Sequence, residues 1–148
     1  ACQPANFNGA GQVVIAGHAD AVERAMALCK TKGAKLVKRL PVSAPFHSAL
    51  MAPAAVTLQH ALVDVPLRAP AIPVLSNVTA QPHTTPDQIR SLLVEQVTAS
   101  VRWEECVLRL VELGMTEAFE VGPGRVLTGL VKRIAPAIKL RALEENPA

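Results

Sequence analysis

The sequence predicts an α/β fold with a mostly parallel sheet. Short stretches rich in Val, Ile and Leu alternate with longer segments whose apolar residues recur at helical spacing. From residue 72 onward the predicted elements run in the order strand, helix, helix, strand, helix, strand, which is typical of a parallel sheet covered by helices. Half of the 148 residues are hydrophobic and only 3% are aromatic. We therefore expect Leu, Val, Ile and Ala to build the core.

The first 42 residues predict a hairpin, a helix and a further strand. Residues 8–11 contain two glycines and indicate a turn between a strand at the N-terminus and the apolar strand 12–16. Residues 19–31 have helical spacing, and Gly33 stands where a glycine commonly ends a helix. Residues 34–42 are expected to form another strand.

The rest of the chain predicts the remaining helices and strands. Pro41 and Pro45 restrict the backbone and indicate a turn over residues 42–45. Ser48 is the expected N-cap of a helix that reaches about residue 63. The later elements are a strand at 72–76, a helix opened by the capping box at 85–88, a helix from Ser100 to Gly114, a strand at 116–121, a helix at 126–134 and a strand at 138–143.

Composition and charge exclude several classes of function. The net charge is +3, and its one local cluster, Lys35, Lys38 and Arg39, is too small for a nucleic-acid footprint. An acidic protein partner or a phosphate-bearing ligand is compatible with that cluster, and so is an ordinary solvated face. The charged fraction of 18% is low for a free-standing small domain, which indicates apolar surface that packs on something else.

Cysteine and histidine spacing predicts neither a disulfide framework nor a metal site. The three cysteines are odd in number and lack Cys-x-x-Cys spacing, and the four histidines show no ligand spacing. No signal peptide is recognised and no apolar run reaches membrane-spanning length, so we expect no membrane partner and a cytoplasmic location.

His47 is the candidate catalytic residue. It follows Pro45-Phe46 and precedes the expected cap Ser48, so its imidazole should sit on a rigid loop at the mouth of a helix. That is a suitable place for a general base. A surface histidine beside an N-cap has the same local sequence, so the residues alone leave both interpretations open.

Four stretches, in the same order, resemble the malonyl-CoA:acyl-carrier-protein transacylases of fatty-acid and polyketide synthesis. The first is Pro-Phe-His-Ser-Ala-Leu-Met around His47, which is similar to the active-site histidine segment of that family. The others lie at residues 5–18, 100–103 and 120–130. Each motif alone is weak, but the four lie in register, and together with the intervals between them they cover nearly the whole chain, from about Ala5 to Leu143.

The resemblance implies an architecture of two parts. Members of the family have a large subdomain like the α/β-hydrolase sheet and a small ferredoxin-like subdomain inserted in it. Residues 1–42 would be the latter part of the small subdomain, and residues 43–148 the C-terminal part of the large one. The expected partner is then the missing N-terminal half of the same enzyme.

The resemblance also implies the catalytic roles. His47 would be the general base, oriented by the backbone carbonyl of Gln96, and the nucleophile would be a serine in a Gly-x-Ser-x-Gly elbow. None of the five serines has a glycine two residues before it, so that elbow is expected outside this chain. The chain alone is therefore predicted to be inactive. Ser48 could be offered as a substitute nucleophile, but a helix cap is the favoured role.

The remaining candidate site residues bind substrate by analogy with the family. Phe46 resembles the malonyl-selecting form because a bulky ring crowds the space of an α-methyl group, although simple packing explains it equally well. Asn6 and Asn8 match a stretch beside the catalytic cleft and are also ordinary turn residues. Gly9-Ala10 departs from the Ser-Pro usual in the family, which leaves the path of that loop open.

The predicted reaction is malonyl transfer from coenzyme A to the phosphopantetheine thiol of acyl carrier protein. The coenzyme A thioester is the substrate, and no metal or redox cofactor is expected. The alternative is a non-catalytic module that docks a carrier protein and keeps His47 as a relic.

Overall fold

The computed structural model describes residues 1–143 and supports the α/β class. Five α-helices, four strands and one short 3₁₀ turn make up this part of the chain. In order they are β1 (Cys2–Gly9), β2 (Gln12–Gly17), α1 (Ala19–Thr31), the 3₁₀ turn (Ala49–Met51), α2 (Ala52–Ala61), α3 (Pro86–Gln96), α4 (Trp103–Glu112), β3 (Glu117–Val121), α5 (Val126–Ile134) and β4 (Lys139–Leu143).

The first two strands form the predicted hairpin. They pair antiparallel, with Cys2 opposite Gly17 and Gly9 opposite Gln12. Only two residues connect them, and both have positive φ, +51° at Ala10 and +77° at Gly11. A two-residue connection of this kind matches the right-handed twist of the flanking strands.

Helix α1 ends just before Gly33, as the position of this glycine in the sequence predicts. Gly33 has φ +91° and its N–H donates to the carbonyl of Lys30 at 3.0 Å. The N–H of Ala34 donates to the carbonyl of Cys29 at 2.9 Å, which completes a Schellman motif. The prediction of this helix is confirmed at both ends.

The unit β3-α5-β4 is the parallel part of the fold. Glu117 pairs with Lys139 and Val121 with Leu143. The core beneath this pair consists of buried side chains with partly buried neighbours around them. Its members are Val107, Val131 and Ile138, packed by Trp103, Met115, Ala118, Ile134, Ala135 and Leu140.

The side chain of Glu120 connects β3 to the start of α5. Its carboxylate accepts hydrogen bonds from the N–H groups of Leu127 at 3.0 Å and Thr128 at 2.7 Å. Those two groups lie in the first turn of the helix, where N–H groups lack partners within the helix. Hydrogen bonds from Thr128, and secondarily from the backbone of Leu127, hold the pKa of Glu120 below its ordinary value.

The prediction of a mostly parallel sheet is wrong for residues 1–143. They contain two separate two-stranded sheets, one antiparallel and one parallel. The expected strands at 34–42 and 72–76 do not form. The first segment has no neighbour to pair with and leaves Leu36 83% exposed. In the second, Pro73 lacks an N–H, and only Leu75 makes an isolated bridge, to Pro82.

Two predicted helix starts are also wrong. The hydroxyl of Ser48 accepts no capping hydrogen bond and instead donates to the carbonyl of Pro45 at 2.7 Å. The expected single helix is a 3₁₀ turn followed by α2. Ser100 does not begin α4, which starts at Trp103 with Arg102 at its N-cap, and the hydroxyl of Ser100 donates to the carbonyl of Pro4 at 2.7 Å. The cap at Thr85 is confirmed, since its hydroxyl accepts from the N–H of Gln88 at 3.2 Å.

The hairpin is tied to the start of α4 by backbone hydrogen bonds. The N–H of Phe7 donates to the carbonyl of Val101, and the N–H of Val101 donates to the carbonyl of Ala5, both at 2.8 Å. These bonds align β1 with the segment that leads into α4. No helix among residues 1–143 is both long and apolar enough to cross a membrane.

Candidate active site

His47 lies on a tight turn with an uncommon backbone conformation. Its φ is +58°, in the left-handed region that side chains other than glycine rarely adopt. Such a conformation costs about 1–3 kcal/mol and persists only where the surroundings impose it. The imidazole is half-buried. The backbone conformation of His47 is therefore imposed by contacts with the rest of the fold and not by the local preference of the residue.

Two contacts hold the turn in place. The hydroxyl of Ser48, a residue only 1% exposed, donates to the carbonyl of Pro45 across the base of the turn. Just beyond it, the N–H of Ala49 donates to the side-chain oxygen of Gln3 on β1 at 3.1 Å. The first contact closes the turn and the second attaches it to the hairpin.

The imidazole of His47 is oriented by the end of α3. Its Nδ1 lies 2.9 Å from the backbone carbonyl oxygen of Gln96. A carbonyl oxygen can only accept, so Nδ1 carries the proton and donates it to this bond. In the neutral ring Nε2 is then unprotonated, with its lone pair available to take a proton.

The carbonyl of Gln96 is available because it lies at a helix end. Gln96 is the last residue of α3, and the last four carbonyls of a helix have no intrahelical donor. The Gln96 carbonyl can therefore accept the proton of His47 Nδ1 and fix the tautomer of the ring.

The other predicted site residues lie on the turn of His47 and on β1. Phe46 adjoins His47 in the same turn and is 51% exposed, so its ring is not part of a packed core. Asn6 lies on β1 opposite Val101, and Asn8 precedes the hairpin turn. Within residues 1–143, His47 and Gln96 are joined by a hydrogen bond, whereas neither asparagine bonds to them.

Comparison with known proteins places the chain in a family. A family model described as an acyl transferase domain matches residues 2–137. The chain belongs to the acyl transferase domain family. It is 49% identical over 145 residues to the malonyl CoA-acyl carrier protein transacylase of Escherichia coli K12, an alignment that covers 98% of this chain and 47% of that relative.

Solved structures of acyl transferases have the same fold. An acyl carrier protein S-malonyltransferase from Vibrio cholerae superposes with a TM-score of 0.94 at 48% identity, covering 98% of this chain and 47% of that one. A malonyl-transacylase in complex with a type II polyketide-synthase acyl-carrier protein superposes with a TM-score of 0.92 at 45% identity, covering 100% and 47%. The chain thus spans about half the length of the relatives it matches.

Sequence reasoning missed two residues that support this candidate site. Gln3 binds the backbone after His47, and Asn77 donates to the side-chain oxygen of Gln96 at 3.1 Å. Asn77 shows in the sequence only as part of a glycosylation tripeptide, Asn-Val-Thr. No local sequence pattern predicts either contact, because the two residues that form each contact are 46 and 19 positions apart, respectively.

Proposed function

We propose that the enzyme containing this chain transfers malonyl from coenzyme A to the phosphopantetheine thiol of acyl carrier protein, with His47 as general base. The observation that carries the proposal is the hydrogen bond from His47 Nδ1 to the carbonyl of Gln96, which leaves Nε2 as a base. Membership of the acyl transferase family and the names of its relatives supply the reaction.

The reaction proceeds in two half-reactions that use Nε2 in the same way. A serine hydroxyl outside this chain attacks the thioester carbon, its proton passes to Nε2, the C–S bond breaks, and coenzyme A leaves as the thiol after taking that proton. The carrier thiol then gives its proton to Nε2, and its sulfur attacks the malonyl ester. The serine oxygen leaves and regains the proton.

We further propose the division into two subdomains. Residues 1–42 form the latter part of a ferredoxin-like small subdomain, and residues 43–148 form the C-terminal part of an α/β-hydrolase-like large one. The antiparallel hairpin and the β3-α5-β4 unit support this division. The missing N-terminal half supplies the serine and covers apolar surface that these residues leave open, such as Val121 at 79% exposure.

Phe46, Asn6 and Asn8 are the proposed substrate contacts. Phe46 precedes the base directly and is half-exposed, so its ring can border the space for the malonyl α-carbon. The β1 strand that carries the asparagines is attached to the turn of His47 through Gln3. That attachment supports a place for them on the same side of the cleft.

A basic stretch that precedes the turn of His47 in the sequence suits an acidic carrier protein. Between Glu23 and Asp64 the chain has six Lys or Arg residues and no Asp or Glu. Four exposed lysines, Lys30, Lys32, Lys35 and Lys38, lie in this stretch. Opposite charge here would speed encounter with the carrier. We place the reaction in the cytoplasm, and its chemistry uses no metal or redox cofactor.

The test is malonyl transfer by the full-length enzyme carrying His47→Ala. We expect the rate to fall by a factor of about 10² or more, as for loss of a general base. His60→Ala is the matched control, since that histidine lies on the exposed face of α2 and should leave the rate unchanged. Normal transfer by the His47 variant would favour a carrier-docking role without catalysis.

A further inference from the structure

We infer that Asn77 is a positioning residue for the general base, acting through Gln96. This inference rests on the proposed function and adds a residue to it. Gln96 touches two partners at once: its backbone carbonyl accepts from His47 Nδ1 at 2.9 Å, and its side-chain oxygen accepts from Asn77 Nδ2 at 3.1 Å. Gln96 thus links Asn77 to the contact that selects the tautomer of His47.

The end of α3 needs such a restraint. Helix ends fray, and the last turns of α3 are held by a mixture of short-range bonds around residues 97–99. A carbonyl that moves with a fraying end would let the imidazole rotate and exchange tautomers. The bond to Asn77 fixes the side chain of Gln96 and therefore its backbone.

Asn77 can act as an anchor because its own backbone is fixed. Its carbonyl accepts from the N–H of Arg102 at 2.9 Å, at the start of α4. The guanidinium of Arg102 also donates to the carbonyl of Val78 at 3.2 Å. The side-chain oxygen of Asn77 lies 3.9 Å from the Cys106 sulfur. The asparagine is therefore attached to α4 through main chain and side chain.

The residue before Asn77 is buried, and its N–H, hydroxyl and carbonyl groups all form hydrogen bonds. Ser76 is 3% exposed, its N–H donates to the carbonyl of Gln81 at 2.9 Å, and its hydroxyl accepts from the N–H of Val78 at 3.1 Å. The thiol of Cys106 donates to the carbonyl of Ser76 at 3.4 Å. Burial raises the pKa of that thiol, which keeps the donor protonated. The turn that presents Asn77 is thus rigid.

A double-mutant cycle in the full-length enzyme tests this inference. Asn77→Ala and Gln96→Ala each remove the side-chain bond but keep the carbonyl that His47 uses. We expect each to lower kcat roughly tenfold, with little change in KM for malonyl-CoA, since misplacing a catalytic group acts mainly on the chemical step. Because both act through one contact, the double variant should be no slower than either single variant. Gln96→Glu keeps an acceptor for Asn77 and should restore most of kcat.

Nitrogen-15 NMR of the His47 ring supplies a readout that is independent of turnover. The wild-type ring should be protonated at Nδ1, whereas Asn77→Ala and Gln96→Ala should show a mixture of the two tautomers. Thr79→Ala is the matched control, since among residues 1–143 the hydroxyl of Thr79 bonds only within the same turn, where it accepts from the N–H of Gln81 at 3.2 Å. It should change neither the tautomer nor kcat.

Three outcomes would overturn the inference: an unchanged tautomer in both variants, equal losses for Asn77→Ala and Thr79→Ala, or losses that multiply to about a hundredfold in the double variant. If Asn77→Ala does not fold, Gln96→Ala tests the same contact from the helix side. A changed tautomer together with normal transfer by His47→Ala would instead reject the proposed role of His47 and leave the positioning contact standing.

Discussion

Ser48→Ala should loosen the catalytic turn and weaken the fold at the same time. The substitution removes one oxygen and keeps the packing of a residue that is 1% exposed. It deletes the 2.7 Å hydrogen bond that closes the turn and leaves the carbonyl of Pro45 without its donor. His47, between these two residues, then loses one of the contacts that impose its positive φ.

The expected loss of unfolding free energy is about 1–2 kcal/mol. A hydrogen bond contributes about 0.5–1.5 kcal/mol net, and a buried acceptor left unpaired costs about 1–3 kcal/mol. Pro45 is only half-buried, so water can replace part of the lost bond and the loss lies where these two ranges overlap or just above. The equilibrium constant for unfolding should rise by a factor of roughly 5–30.

The assay is urea unfolding of the full-length enzyme, combined with kcat for malonyl transfer. Ser91→Ala is the matched control, because the hydroxyl of Ser91 also donates to a carbonyl three residues earlier, that of Gln88, at 3.0 Å, but on an exposed helix surface. The control should stay within about 0.5 kcal/mol of the wild type. Equal stability losses for the two variants, or a full kcat for Ser48→Ala, would refute the role assigned to this bond.

Three further changes have defined outcomes. Phe46→Ser should narrow the preference for malonyl-CoA over methylmalonyl-CoA, by at most the 1–3 kcal/mol or so that one methyl group is worth; unchanged ratios of kcat/KM would show that Phe46 only packs. Glu120→Gln should lower stability at pH 7. The folded-state pKa of Glu120 lies below its ordinary value of 4.5. The stability advantage of the wild type over the variant should therefore vanish as the pH falls through that lowered value. A stability difference between wild type and variant that stays constant with pH during acid unfolding would contradict this. Residues 1–148 alone should show no transfer activity and should bind a dye for apolar surface, since Val121 and Phe119 are open; a monomer with low dye binding would count against the missing half.

Local signals in the sequence were sufficient for much of the fold. Gly33 ends α1, Thr85 caps α3, and the two-residue turn at Ala10 and Gly11 joins the hairpin strands. Each of these depends on residues within a few positions of one another. Backbone conformation and capping are properties of such short stretches, so they could be predicted.

Predictions that depend on distant partners failed or needed the family resemblance. Residues 34–42 have strand-like composition, but a strand also requires a neighbour, which residues 1–143 do not offer. Ser48 has the sequence of a cap, yet its hydroxyl accepts no capping hydrogen bond and donates to the carbonyl of Pro45. The bond between His47 and Gln96 spans 49 residues, and the residues alone left His47 undecided between a base and a surface histidine. The resemblance, not the spacing, pointed to Gln96.

The most direct test of the account is the pre-steady-state kinetics of His47→Ala in the full-length enzyme. Rapid quenching measures two steps separately, the release of coenzyme A as the malonyl-enzyme forms and the transfer of malonyl to the carrier thiol. Because Nε2 takes a proton in both steps, the account predicts that both slow by a factor of about 10² or more. Either step at the wild-type rate would contradict His47 as the general base.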